Sequence, residues 1–184
     1  MKITGVDILV AGAGWRNFNF LKISTDEGLT GWADFSEGNV GGIIAPLIRR
    51  MGQHLIDRDP RNVVPLMEET RKRSYGVAIG AAARAQGPIE NALIDIKAKS
   101  LGVPVYDMLG GAIRDPIRLY WSHCGSYHVI NPEVIGVDPI ESLDDIVKLG
   151  RRVKDEGFHA LKTNLIMFDR DKPYLYGPGW VGGN

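Results

Sequence analysis

The sequence predicts an α+β arrangement: a small antiparallel sheet followed by helices, then the start of a parallel β/α unit. Three observations predict it. Apolar residues near the N-terminus recur with period two and are interrupted by a hairpin signal. After residue 38 the apolar period changes to that of a helix. From residue 117 a strand, a helix and a second strand follow one another, and a crossover of that kind makes its two strands parallel.

Residues 2–10 read as a strand in which Thr4, Val6, Ile8 and Val10 share one face. Phe18 to Thr25, the tripeptide Asp26-Glu27-Gly28 and Leu29 to Phe35 read as two antiparallel strands, with Gly28 supplying the positive φ of a tight loop. Val40, Ile43, Ile44, Leu47, Ile48 and Met51 form one helical stripe that Pro46 should bend and Gly52 should stop. Asp59-Pro60 predicts the cap and first position of a second helix whose inward face is Val63, Leu66, Met67 and Thr70, although Pro65 interrupts it. The longest helix is predicted over about 81–101, with Ile89, Ala92, Leu93 and Ile96 inward and Gly102 closing it. Beyond Pro104 come a strand from Ile117 to Cys124, a helix over 141–156 ended by Gly157, and a strand from Ala160 to Ile166. Asp169 to Asn184, rich in Gly, Pro and Tyr, reads as loop. A parallel pair needs further strands beside it and helices over both faces, so the chain is expected to stop inside a domain.

Composition narrows the function classes. The 184 residues hold 22 Lys+Arg and 22 Asp+Glu, a formal net charge of zero, so no long-range field draws nucleic acid or an anionic membrane. No apolar run approaches the roughly 20 residues of a membrane span, and Met1-Lys2-Ile3-Thr4 leads straight into a strand pattern, so a cytoplasmic protein is expected. The single cysteine, Cys124, fits a reducing compartment and reads as a small buried residue.

Few residues carry chemistry. Gly12-Ala13-Gly14 imitates a dinucleotide-binding turn, but Asn17 replaces the third glycine and a strand pattern follows, so no helix N-terminus waits for a pyrophosphate. That loop carries Trp15 and Arg16, whose side chains suit an anionic substrate and equally an ordinary surface loop. The four histidines have no metal-ligand spacing. His123, at the C-terminal end of a strand, either lines a site or packs. In Lys162-Thr163-Asn164, alternation sets Lys162 and Asn164 on one face. Inward, such a lysine needs an anionic partner, which points to a substrate carboxylate; on an edge strand it simply reaches solvent.

Three stretches together resemble the enolase superfamily in its mandelate racemase and muconate lactonizing enzyme branch: Glu27-Gly28-Leu29-Thr30-Gly31-Trp32-Ala33-Asp34; Pro88 to Lys99 followed by Gly102 to Gly111; and Lys162-Thr163-Asn164. The likeness covers about residues 1–166. It implies an α+β capping domain over 1–111, joined through 112–184 to the first strands and helix of a modified (β/α) TIM-type barrel that is incomplete in this chain. The active site then lies where the cap's loops meet the C-terminal ends of the barrel strands. Trp15, Arg16 and His123 are the implied substrate contacts, and Lys162 and Asn164 the implied catalytic positions. The family's shared step removes the proton α to a carboxylate with Mg²⁺ holding the enediolate. Its metal ligands sit on later barrel strands, so no metal ligand is assigned in this chain.

Asn164 stands where the family has a second lysine, and an amide cannot accept that proton. The base then comes from elsewhere, which favours one-base dehydration of a sugar acid over two-base racemisation. A homo-oligomer acting on a small carboxylate is implied. The alternatives are a racemase or cycloisomerase of the same superfamily, or a noncatalytic assembly or small-anion-binding domain.

Overall fold

A computed structural model describes residues 1–38, 41–74 and 79–177. The chain divides into two units, Met1–Ile113 and Arg114–Asn184.

The first unit opens on a sheet of order β1-β2-β3, formed by β1 (Ile3–Gly12), β2 (Asn17–Thr25) and β3 (Thr30–Phe35), each antiparallel to its neighbour. The β2–β3 turn is the hairpin predicted: Gly28 has φ 81°, and the Thr25 amide and hydroxyl both donate to the Leu29 carbonyl. β1 departs from the expected face. Ile3 pairs with Thr25 and Gly5 with Ser24, which leaves Thr4 as an extra residue in a bulge and reverses the alternation there. Ile3 is therefore fully buried and Thr4 exposed, while Val6 and Ile8 still pack on the core.

The helices are α1 (Ile44–Gly52), α2 (Val63–Arg73), α3 (Gly80–Leu101) and the short α4 (Val105–Met108), with a 3₁₀ turn at Gln53–Leu55. α1 starts later than its apolar stripe suggests; Ile43 is its exposed cap and Val40 lies outside the described residues. Pro46 bends nothing, because as the third residue of α1 its missing N–H is one that has no intrahelical partner anyway. Two of the neighbouring free donors, the amides of Ile44 and Ala45, are taken at 2.8 Å each by the Glu37 carboxylate. Pro65 is likewise the third residue of α2, which begins at Val63 after Asn62 and not at Pro60. Asp59 instead holds Arg61, accepting from its amide and guanidinium.

In α3 the predicted stripe of Ile89, Ala92, Leu93 and Ile96 is fully buried, and Gly102 closes the helix in the left-handed conformation, φ 69°. Pro88 lies inside this helix, preceded by Gly87, which has no Cβ for the proline ring to crowd. α3 packs on the inner face of the sheet against Leu21, Ile23, Ala33 and Phe35. Each large side chain fully buried there contributes about 1.5–3 kcal/mol.

The second unit contains α5 (Ser126–Ile130), α6 (Pro132–Ile135), α7 (Leu143–Asp155), β4 (Leu165–Met167) and β5 (Tyr174–Tyr176). Ser142 caps α7 in a reciprocal box with Asp145, and Gly157 follows its end at φ 81°. The two strands expected at 117–124 and 160–166 are reduced to a parallel bridge between Trp121 and Leu161. Regular structure appears only at β4, which pairs antiparallel with β5 inside the segment read as loop. Among the described residues no third strand flanks the parallel pair, so most of its backbone donors and acceptors have no ladder to extend.

Candidate functional site

The parallel pairing defines one end of the second unit. The Trp121 amide donates to the Ala160 carbonyl at 3.1 Å, the Lys162 amide to the Trp121 carbonyl at 2.9 Å, and the Cys124 amide to the Lys162 carbonyl at 2.9 Å. Because the two segments run the same way, their C-terminal ends, at His123–Ser126 and Thr163–Leu165, lie side by side. Ligands of α/β folds collect at such ends, where chain leaves the sheet in loops.

The first segment turns sharply at this end. His123 has φ 54° and Gly125 φ 80°, which throws the chain into α5. The positive φ at 125 favours glycine, and a Cβ there would sit tightly at 3.2 Å from the side-chain ends Ile140 Cδ1 and Leu149 Cδ2. The exposed His123 ring lies 5.5 Å from that of Tyr127. Cys124 is buried, and burial pushes its thiol up in pKa, which disfavours the thiolate.

Lys162 has both backbone groups tied to the first segment while its side chain is exposed and enters no ion pair among the described residues. Asn164 is exposed as well and borders, with Thr163 and Leu161, an apolar cleft of about 510 Å³ against Leu149 of α7. Lys162 does not border that cleft. The chain at 162–164 is not a regular strand, so strand alternation does not by itself set the directions of Lys162 and Asn164.

Trp15 and Arg16 belong to the first unit, in the turn that joins β1 to β2, where the Ala13 amide donates to the Arg16 carbonyl at 2.9 Å. The Arg16 guanidinium lies 4.9 Å from the Trp15 ring and 4.0 Å from the Phe18 ring, so one cation is held over two aromatic faces. The Gly12-Ala13-Gly14 run is thus a hairpin turn leading into a strand.

Two groups at the strand end, to which the sequence assigns no site role, are buried polar side chains. The Ser126 hydroxyl is buried without a hydrogen-bond partner. His128 is 8% exposed and its Nδ1 donates to the Asp138 carbonyl at 2.7 Å, while its own carbonyl accepts from the Ile140 amide, so it fastens the loop before α7 onto α5. A carbonyl can only accept, which fixes the proton on Nδ1. No periodicity marks either residue; both were visible only as part of a polar, glycine-containing stretch after an apolar run.

For Mg²⁺ the donor set does not fit: among the described residues no three His, Cys, Asp or Glu side chains gather where an ion could be held. No helix among them is long and apolar enough to cross a membrane.

Residues 5–110 match the family described as mandelate racemase / muconate lactonizing enzyme, N-terminal domain. A D-galactonate dehydratase family member of Streptomyces bingchenggensis is 36% identical over 128 residues, which are 69% of this chain and 31% of the relative. The D-galactonate dehydratase of Variovorax paradoxus is 36% identical over 121 residues, 65% of this chain and again 31% of the relative. The chain therefore spans about a third of the length of these curated relatives. Among solved structures, a candidate L-alanine-DL-glutamate epimerase from Burkholderia xenovorans, crystallised with magnesium and fumarate, superposes with TM-score 0.90 at 34% identity over 97% of this chain and 44% of that one. The 3,6-anhydro-D-galactonate cycloisomerase of Zobellia galactanivorans superposes with TM-score 0.71 at 25% identity, over 90% of this chain and 43% of that one.

Proposed function

We propose, since this chain belongs to the mandelate racemase/muconate lactonizing enzyme family of the enolase superfamily, that the protein at the full length of its relatives dehydrates a sugar acid. The reaction removes the proton on the carbon next to the carboxylate, expels the neighbouring hydroxyl as water, and leaves an enol that becomes a 2-keto-3-deoxy acid. One named relative is a D-galactonate dehydratase and another a D-galactonate dehydratase family member, which makes D-galactonate the first substrate to test.

Lys162 carries the reading. Its backbone is pinned at the end of the parallel pair while its ammonium is free of any described ion pair, an arrangement that suits a cation kept for a ligand. A fixed ammonium beside the substrate carboxylate holds its negative charge in the site and stabilises the second charge that grows as the α-proton departs. Asn164 contributes a hydrogen bond to a substrate hydroxyl and no base, because its amide has no basic nitrogen. Trp15, Arg16 and His123 are proposed as substrate contacts. Magnesium is carried over from the family as a cofactor of the full-length protein; the described residues form no site for it, and no step of the proposed reaction is routed through it.

Racemisation at the same carbon is the competing reading. It needs a base on each face of the substrate, and the position that supplies one in the family is Asn164 in this chain. The deciding experiment uses the protein at its relatives' length with D-galactonate. Release of the 2-keto-3-deoxy acid is expected, with loss of at least a hundredfold in kcat/KM on Lys162→Ala and partial recovery with Lys162→Arg. Exchange of the α-hydrogen in D₂O without water loss, or a near-normal rate for Lys162→Ala, overturns the proposal.

A further inference from the structure

The last turns of α1 and α2 carry basic residues, Arg49 and Arg50 on one helix and Arg71, Lys72 and Arg73 on the other. Cations at these positions complement the helix dipole, which is reason enough for most of them. Arg50 and Arg73 have a second feature in common. Both line one cleft of about 540 Å³, together with His54 and Thr70, where Leu47, Met51 and Ala82 supply the apolar lining. The charges around this cleft do not balance. Glu69 is shared, its carboxylate taking Arg58 at 2.8 Å and Arg73 at 3.0 Å, and Arg50 enters no ion pair among the described residues. Three guanidiniums therefore have one carboxylate between them, an excess of two positive charges in a chain whose formal net charge is zero.

His54 registers the imbalance. Its ring donates to the buried Thr70 hydroxyl at 3.0 Å, because that hydroxyl spends its own proton on the Leu66 carbonyl at 2.8 Å. Burial and then Arg73 lower the pKa of the ring, with Arg58 acting in the same sense and Glu69 against them. An imidazole set beside guanidiniums that lack counter-charge stays neutral until something negative enters.

We propose that this cleft binds a phosphate monoester, with Arg50 and Arg73 taking the phosphoryl group and the apolar lining taking the organic part. A phosphate monoester carries about −1.5 to −2 charges at pH 7, which is the charge the cleft lacks. Guanidinium forks match its oxygens two at a time. A cleft of about 540 Å³ has the size of a small-molecule site, larger than a bare phosphate needs. Inorganic phosphate would satisfy the charge and leave Leu47, Met51 and Ala82 facing water, whereas a carboxylate brings one charge where two are missing. Every residue invoked lies in the first unit, and the site is independent of the reaction proposed above.

Isothermal titration calorimetry of the 184-residue chain with phenyl phosphate, inorganic phosphate and benzoate tests it. Phenyl phosphate should saturate with a Kd of about 1 mM, and the other two should bind about fivefold more weakly or worse. Arg50→Gln and Arg73→Gln should each weaken phenyl phosphate by about tenfold or more. Arg71→Gln removes a cation that is paired with Glu68 and does not line the cleft, so it should change the Kd by less than about twofold. The three arginines are exposed, and circular dichroism confirms that each variant is folded. Bound phenyl phosphate should also raise the pH at which the His54 ring titrates by about one unit, read by proton NMR with His54→Gln assigning the signal. Absence of saturable binding, a loss in Arg71→Gln as large as in Arg50→Gln and Arg73→Gln, or a His54 titration that phenyl phosphate leaves unmoved overturns the proposal. Inorganic phosphate bound as tightly as phenyl phosphate overturns the monoester assignment, and benzoate bound as tightly overturns the choice of a phosphoryl group.

Discussion

Gly31, in the hairpin stretch shared with the family, is where β3 and α3 come closest. A Cβ at that position would overlap the Ala92 carbonyl oxygen and lie 2.7 Å from Ile96 Cγ1 and 2.9 Å from the Ala92 carbonyl carbon. Carbon atoms in contact prefer about 3.5–4.0 Å, so alanine forces strand and helix apart by roughly 1 Å. The obstacle is helix backbone and cannot swing aside. A gap of that size forfeits a quarter to a half of the dispersion energy across it, and the interface includes Ala33, Phe35, Leu93 and Ile96. With about 1.5–3 kcal/mol per large buried side chain, Gly31→Ala should cost about 1–4.5 kcal/mol. The lower entropy of the unfolded alanine chain returns only about 0.4–1 kcal/mol.

Urea unfolding followed by circular dichroism at the helix band reads mainly the first unit, where α1, α2 and α3 lie. With a slope near 2 kcal/mol/M, the midpoint should fall by about 1 M. Gly52→Ala is the control. A Cβ there meets Val6 Cγ1 at 2.6 Å, Cβ at 3.2 Å and Cγ2 at 3.3 Å, a side chain and not helix backbone, and the last residue of α1 gains helix propensity, so a smaller cost of about 1–3 kcal/mol is expected. Equal midpoints for Gly31→Ala and the parent would refute the claim that backbone approach dictates this glycine.

Asn164→Ala in the full-length protein should cost about 1–3 kcal/mol in kcat/KM while the pH–rate limb of the base persists unchanged; loss of that limb would make Asn164 part of the proton path. His54, half-buried and donating to Thr70 Oγ1 at 3.0 Å, has its pKa lowered, first by burial and then by Arg73, so the unfolded chain takes up the proton first. Its contribution to stability should be complete above the unfolded value of about 6.5 and decline as the pH falls below it, levelling off once the folded group is protonated. Urea midpoints between pH 5 and 8 should slope that way in the parent and less in His54→Gln. Glu37→Ala removes the acceptor for two amides of α1 and should destabilise by about 0.5–2 kcal/mol, read by the same unfolding assay; a shift below about 0.3 kcal/mol would mean water replaces the carboxylate.

What sequence reasoning caught in the first unit was local. Gly28 and Gly102 lie where positive φ is needed, and the stripe along α3 is long enough to leave one reading of its face. What it missed was set at a distance or by position within an element. The bulge at Thr4 depends on how β1 pairs with β2, and no residue type announces it. Pro46 and Pro65 read as interruptions because a helix was started too early; counted from Ile44 and Val63 they are start signals. Glu37 caps a helix seven residues away, beyond any capping-box spacing. Asp95 and Lys99 came with the family likeness, and only the structure shows what they do. Asp95 accepts from the Trp32 amide and from Lys99, whose ammonium also donates to the Thr30 carbonyl, so both tie the free edge of β3 to α3.

The second unit shows the limit of the same reasoning. Its parallel order was legible because a helix between two apolar runs admits one handed crossover, and the bridge from Trp121 to Leu161 agrees. Its side-chain alternation was not, because alternation is a property of a fully paired strand and the described pairing amounts to a few hydrogen bonds. Lys162 is positioned through those bonds alone: they fix its amide and carbonyl to Trp121 and Cys124, so its side chain must leave the pair beside the turn at His123, whatever direction Asn164 takes. A cation placed by backbone pairing needs no strand parity to be positioned for a ligand, so the role proposed for Lys162 does not depend on the direction Asn164 takes.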